Sequence, residues 1–300
     1  MPEKTPNIRI AAIDIGSNAA RLLICYVLEP ENGKPEFIKL NLVRVPLRLG
    51  FDVFENGSIS VKREIDIVNT LQAYKYLMQV HEVKHYTACA TSAMREASNS
   101  ADVIDRVNQL TGVNIRVISG KEEAETIFEN HIENYLDKEH SYLYIDVGGG
   151  STELTLFSKN RPLLEESFDI GTVRMLKNKV NNKEWQRFKS FVKSETKSFH
   201  NLMGIGSGGN INKISSMSKV KQGKPLTNDL LNEYYEELNK MTVEERMIKY
   251  NLREDRADVI LPALQIYNSV MKWANITEIY VPKFGLADGL VRSLYRSLMN

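Results

Sequence analysis

The chain has 300 residues, 42% of them hydrophobic, and a formal net charge of +1, which suits two domains with real cores and by itself points to no polyanionic partner. Its first residues, MPEKTPNIR, lack the apolar stretch of a secretory leader, and no apolar run approaches membrane-spanning length. A globular, cytoplasmic protein with no membrane association is expected.

From the N-terminus, apolar β-branched alternation predicts strands at Ile8 to Asp14, Ala20 to Leu28 and Phe37 to Leu47, then a helix from Val61 to Val80. A buried strand is expected at His85 to Ala90, a helix at Ala101 to Thr111 and a strand at Ile115 to Ile118. Ser119 followed by Glu122 is a capping-box pattern, so a helix should start at Gly120 and run to about Tyr135, crossing between domains. Cys25 and Cys89 stand in apolar, strand-like contexts without metal-ligand spacing and are read as buried reduced thiols. The five histidines are scattered and read as structural.

The later half begins again with strands at Tyr142 to Val147, Glu153 to Ser158 and Pro162 to Phe168. Helices follow near Lys183 to Phe199, Asn210 to Ser216, Asn228 to Asn239, Thr242 to Tyr250 and Glu254 to Trp273, then a strand at Ile276 to Val281 and a helix from Leu286 to Leu298. Both halves share one order of elements, so a duplicated α/β unit is expected: domains at 1–123 and 124–300, the last helix packing back on the first, and a ligand-binding cleft between them. Between Arg174 and Lys224 stand twelve Lys and Arg against Glu184 and Glu195, so that window is +10 and the remainder −9. It reads equally as a solvated helix face, with Trp185, Phe188, Phe191 and Val192 turned inward, or as a polyanion-tracking surface.

The strongest internal signal is a repeated phrase: Ile10 to Leu22 reads IAAIDIGSNAARL and Tyr144 to Leu154 reads YIDVGGGSTEL. Each runs from an apolar strand to an Asp (Asp14, Asp146), then a Gly-rich turn with a hydroxyl residue (Ser17; Ser151, Thr152), then a second strand. Glycines let backbone N–H groups line a concavity for anionic oxygens, and an Asp at the strand end holds a cation through its water shell. In ATSAMREASN, after a buried strand, Arg95 offers a bidentate phosphate clamp, or a surface pair with Glu96 or Asp102. In SGKEEAETIF, Glu122 and Glu123 point about 100° apart on the helix, so if Glu122 closes the capping box Glu123 is left to face the cleft. MGIGSGGNINKI satisfies G-x-G-x-x-G through Gly204, Gly206 and Gly209, but no acidic residue follows about twenty positions on. It reads as a third glycine-rich turn opening a helix whose N-terminus, at Gly208, would bind another phosphate.

In order, the phrases DIGSNAARLLI, LRLG with its glycine turn, ATSAMREASN, ISGKEEAETIF, DVGGGSTEL, IGTVRM, GIGSGGNINKI and FGLADGLV resemble the exopolyphosphatase and guanosine pentaphosphate phosphohydrolase family across nearly the whole chain. The resemblance implies the actin, sugar-kinase and chaperone ATPase fold of two ribonuclease-H-like domains. It implies Glu123 as catalytic base and Glu153 as the residue positioning the attacking water. Asp14 and Asp146 would then hold Mg²⁺ or Mn²⁺ or its waters, Gly16, Ser17, Asn18 and Gly148, Gly149, Gly150, Ser151, Thr152 would form two phosphate loops, and Arg21 and Arg95 would be phosphate ligands. Ala19 stands where many relatives carry serine, which removes one hydroxyl contact. The short two-domain form, without the helical C-terminal domains of longer relatives, implies a preference for short chains or weaker processivity.

The expected reaction is attack of water on the terminal phosphoanhydride of inorganic polyphosphate. A guanosine pentaphosphate (pppGpp) 5′-phosphohydrolase would use the same groups. A kinase of the same superfold would need an adenosine pocket and an acceptor site, and a non-catalytic polyphosphate or nucleotide sensor would have no use for Glu123 and Glu153. No DNA partner is expected; a homodimer is compatible with the sequence.

Overall fold

The phrase around Asp14 folds as an antiparallel hairpin of β1 (Ile8–Ile15) and β2 (Ala20–Leu28), and the phrase around Asp146 as another of β6 (Ser141–Val147) and β7 (Thr152–Ser158). The computed structural model describes residues 8–29, 34–128, 140–159, 161–221 and 223–299. It divides into two units: Met1–Ser119 with Glu125–Asn130 and Leu286–Asn300, and Gly120–Ala124 with His131–Gly285.

In unit 1 the hairpin is followed by β3 (Glu36–Val45), α1 (Leu49–Asn56), α2 (Val61–Val80), β4 (His85–Ala90), α3 (Ser92–Glu96), α4 (Ser100–Thr111) and β5 (Arg116–Val117). The sheet order is β3-β2-β1-β4-β5, with β4 parallel to β1 and to β5. Ser60 caps α2 by accepting from the Arg63 N–H, and Ile67, Leu71, Tyr74 and Met78 form its buried stripe. A register shift opposite Ile24 and Cys25 bulges the edge strand β3 at Leu40, which blunts that edge against pairing with another chain. Helix α5 (Gly120–Phe128) begins in unit 2 and ends in unit 1; the remainder of the helix expected to Tyr135 lies outside the described residues.

Unit 2 continues with β8 (Arg161–Phe168), α6 (Thr172–Leu176), α7 (Asn182–Thr196), β9 (Leu202–Ser207), α8 (Gly209–Met217), β10 (Leu226–Thr227), α9 (Asn228–Asn239), α10 (Val243–Tyr250), α11 (Glu254–Ala257), α12 (Ile260–Ala274) and β11 (Glu278–Tyr280). Its sheet order, β8-β7-β6-β9-β11 with β10 added, repeats that of unit 1 strand for strand. The duplicated, mixed α/β architecture is therefore as expected. Helix α12, buried at Ile260, Ala263, Leu264, Tyr267, Val270 and Met271, is the centre of this core. Phe188 and Val192 of α7 are buried, and Trp185 and Phe191 pack beside them, as the periodicity predicts. Helix α13 (Leu286–Met299) returns to unit 1, where it packs on β1, β2 and β4. There it approaches α5 so closely that a Cβ on Gly289 would sit 1.9 Å from the Thr126 carbonyl oxygen.

Two differences have local causes. The helix expected over Glu254 to Trp273 breaks at Asp258 and Val259, because Pro262, in the first turn of α12, has no N–H with which to continue the preceding ladder. The elements α1, α3, α6 and β10 were not expected: all are short, and the three helices have no side-chain cap to mark their starts, unlike the equally short α10 with its capping box.

Candidate functional site

The site residues begin with strand register. In unit 1, Asp14 on β1 lies directly opposite Arg21 on β2, and Arg21 opposite Arg44 on β3. On the other side Asp14 faces Cys89 on β4, which faces Arg116 on β5. One row across five strands thus reads Arg44, Arg21, Asp14, Cys89, Arg116. Arg21 Nη1 donates to Asp14 Oδ2 at 2.7 Å, and Arg116 Nη2 lies 3.7 Å from Cys89 Sγ. Cys25 and Cys89 are both buried and not joined in a disulfide, as expected, and burial, with Asp288 adding to it, pushes the Cys25 thiol up to about 12.

The turn above this row is closed by the Gly16 N–H on the Ala19 carbonyl at 3.0 Å. The Ser17 and Asn18 carbonyls accept from the N–H groups of Gly50 and Arg48 at the start of α1. In a trans peptide C=O and N–H are opposed, so the Asn18 and Ala19 N–H groups point away from α1, the orientation an anion needs. The Ser17 hydroxyl is itself buried, 2.8 Å from Ser92 Oγ and accepting from the Ala93 N–H at 3.2 Å. It joins α3 to the turn, and α3 carries Arg95, whose Nη1 donates to the Ile118 carbonyl at 2.8 Å.

In unit 2 the equivalent row reads Ser167 on β8, Glu153 on β7, Asp146 on β6 and Ser207 on β9. Glu153 is buried and its Oε1 accepts from Ser167 Oγ at 2.9 Å. Gly120, the first residue of α5, packs on this pair; a Cβ there would fall 2.7 Å from Ser167 Oγ and 3.6 Å from Glu153 Oε1. That contact sets the first turn of α5, with Glu122 and Glu123, beside Glu153. Glu123 Oε2 is buried.

The second turn is anchored more heavily than the first. The Gly148 carbonyl accepts from the Thr172 N–H, the Gly149 carbonyl from the Val173 N–H, and the Gly150 carbonyl from Nε of buried Arg174 at 2.8 Å. The same opposition turns three consecutive N–H groups, of Gly149, Gly150 and Ser151, away from α6. Thr152 spends its hydroxyl on the Ile170 carbonyl at 2.5 Å, so it shapes the turn from within. Gly171 allows the contact: its Cβ would lie 2.4 Å from Gly150 C.

Gly208, at φ 112, leads into α8, and a Cβ on it would meet the Val147 carbonyl at 2.8 Å and Asp146 Oδ1 at 3.3 Å. Arg256 of α11 covers the next residue, its Nη1 2.9 Å from Asn210 Oδ1. Tyr144 and Tyr267 are held well above the ordinary phenol range, first by burial and then by the charge of Asp146. Tyr267 donates to the Ser207 carbonyl.

Loop 1 thus gathers Asp14, Gly16, Ser17, Asn18, Arg21 and Arg95, and unit 2 gathers Asp146, Gly148 to Thr152, Glu153, Gly208 and Glu123. Arg44, Arg116, Ser167, Arg174 and Arg256 were missed. Counting outward from a turn would not have found the first three: a register shift of one residue precedes Arg44 and Ser167 in their hairpins, and Arg116 lies on a strand parallel to its neighbour. Two members of the basic segment have internal partners: Arg174 at Gly150, and Arg187 on Glu184, Glu166 and the Phe168 ring. Among the described residues no three His, Cys, Asp or Glu side chains converge as a preformed metal cage, and no helix is long and apolar enough to cross a membrane.

The model of the Ppx/GppA phosphatase family matches residues 28–298. A putative exopolyphosphatase of Haemophilus influenzae is 24% identical over 99% of this chain and 94% of its own length. Exopolyphosphatase 1 of Mycobacterium bovis is 23% identical over 95% and 87%. Among solved structures, an exopolyphosphatase from Cytophaga hutchinsonii superposes with a TM-score of 0.82 at 26% identity, covering 97% of this chain and 98% of that one. The Aquifex aeolicus member of the Ppx/GppA family gives 0.75 at 25% identity, with 98% and 100% covered. Sequence and fold agree along almost the full length: the chain belongs to the Ppx/GppA phosphatase family.

Proposed function

We propose that the protein is an exopolyphosphatase that releases orthophosphate from the end of a polyphosphate chain by attack of water, with Glu123 as general base. The observation that carries this reading is the Gly120 contact, which sets the first turn of α5 against the buried Glu153. Two carboxylates on adjoining elements suit one water: Glu153, fixed by Ser167, orients it, and Glu123 accepts its proton. The exopolyphosphatase names of the similar proteins favour inorganic polyphosphate over pppGpp as substrate.

The oriented N–H groups of both loops, with Arg21 and Arg95, would bind and neutralise phosphate oxygens. A Cβ on Gly208 would come within 3.3 Å of Asp146 Oδ1, so the glycine keeps the space beside that carboxylate clear. Asp146, with Asp14 at the equivalent strand end, would hold Mg²⁺ or Mn²⁺, which when bound supplies charge neutralisation at the phosphoryl oxygens.

The test is Glu123→Gln. General-base assistance is typically worth about 10²- to 10⁴-fold, so phosphate release should fall by that order with polyphosphate binding retained. Wild-type turnover in the variant removes Glu123 from the mechanism. Phosphate release from polyphosphate and from pppGpp, at equal concentrations of phosphate ends, decides the substrate.

A further inference from the structure

Helix α2 carries an apolar stripe on each of two sides. Ile67, Leu71, Tyr74 and Met78 are buried in the core, while Val61, Ile65, Tyr76 and Val80 stand 54–78% exposed. At about 100° per residue the outer stripe, filled out by Asn69 and Gln72, keeps within about 100° of arc and lies nearly opposite the buried one. A surface helix ordinarily turns polar residues outward, and every exposed residue of α7 and of α9 is polar or charged. Of the nine exposed residues of α2 only Lys62 is charged. Helix α4 packs on one flank of α2, through Arg106 on Glu64 and Lys75 on the Thr111 carbonyl, and leaves the outer stripe bare.

The outer stripe is its own complement. Val61, Ile65, Asn69, Gln72, Tyr76 and Val80 have the same spacing read in either direction. Against a second α2 running antiparallel across a two-fold axis at the middle of the stripe, Val61 meets Val80, Ile65 meets Tyr76 and Asn69 meets Gln72. Apolar side chains then cover apolar ones toward both ends. The two carboxamides near the centre hydrogen-bond to one another, which fixes the register as a lone polar pair does in a coiled coil. Parallel pairing would bring two Lys62 ammonium groups and like helix ends together, whereas antiparallel pairing sets Lys62 beside Gln79 and opposes the dipoles.

We propose that the outer face of α2 is an interface through which two copies of this chain pair as an antiparallel, two-fold dimer. Neither Glu123 nor either glycine turn takes part, so this self-association stands or falls separately from the hydrolase reading. A 20-residue helix is about 30 Å long, and its bare face is about 10 Å wide. That is small for a protein interface, so a reversible dimer with a dissociation constant in the micromolar range is expected, not a permanent one.

Analytical ultracentrifugation of the full chain, at concentrations up to about 300 µM, measures the association. Expected is a monomer–dimer equilibrium that Ile65→Lys and Tyr76→Glu each weaken by about ten-fold or more, since each leaves a charge unpaired in the interface. The double variant should pair again to within a few-fold of wild type, because across the two-fold each new ammonium meets a new carboxylate. Within one helix the two positions are about 16 Å apart, so the rescue has no intrachain source. A short bis-maleimide added to a mixture of Val61→Cys and Val80→Cys proteins reads the register, the native cysteines being buried. It should join one of each, and neither variant to itself, since like positions lie about 28 Å apart along the paired helices. Wild-type protein that stays monomeric at the highest concentration overturns the interface, and so does a dimer that neither charge variant weakens. Val61→Cys joined to itself, or a double variant as weak as the single ones, overturns the antiparallel pairing. Should a charge variant not fold, the cysteine mixture decides alone, and a mixture giving no joined product then overturns the interface.

Discussion

The two units carry the same sheet, strand for strand, and fill the same register row with side chains of opposite charge. In unit 1 the row around Asp14 holds three arginines; in unit 2 the row around Asp146 holds Glu153 and two serines. Asp14 is paired with a cation at 2.7 Å, while its counterpart Asp146 faces an acid across the same hairpin. Duplication preserved the frame because the buried strands and turn geometry must be kept. The row itself diverged: one half carries arginines around its Asp, the other a second carboxylate and serines. The turns differ likewise: the second is braced by α6 and Arg174, whereas the first leans on α1 and α3.

The sharpest way to break this comparison is to remove the acids of unit 2. Beside Glu123→Gln, Glu153→Gln should lower kcat by about 10²-fold or more with little change in KM, because its carboxylate acts through the water. Equal loss from Asp14→Asn and Glu153→Gln in kcat alone would show that the rows are not divided in function. Next in size, Gly171→Ala drives a Cβ into the second turn and should lower stability by about 1–3 kcal/mol, as overpacking does, with activity lost alongside. The matching change in the first turn, Gly16→Ala, meets nothing closer than the Ala19 carbonyl at 3.4 Å and should leave the melting temperature nearly unchanged. Arg174→Gln removes the buried anchor of the Gly150 carbonyl and should cost about 1–3 kcal/mol, read by denaturant unfolding.

The smallest expected effect is a pH dependence outside both rows. The hydrogen bond from Arg187 holds the Glu184 carboxyl below its ordinary 4.5. A depressed acid contributes stability above that value and loses it as pH falls through its folded one. The difference in melting temperature between wild type and Glu184→Gln, present at pH 6, should therefore shrink below pH 4.5. A difference that grows in acid would reverse the assigned sign.

The sequence by itself determined the duplication, because a strand ending in Asp, a glycine turn and a second strand is a local pattern, and it appears twice. It likewise gave the limits of α2, whose Ser60 cap and buried stripe are contiguous, and the inward face of α7. The same phrases marked out Asp14, Asp146, Glu123 and Glu153. Only the tertiary structure decided which strands became neighbours, and so set Arg44 beside Arg21, Ser167 under Glu153 and Gly120 against both. It also decided that Ser17 and Thr152 spend their hydroxyls inside the protein and that Arg174 braces a turn. Periodicity reports which face of an element is buried; partners tens of residues away follow from sheet order and close packing, which no local window of sequence contains.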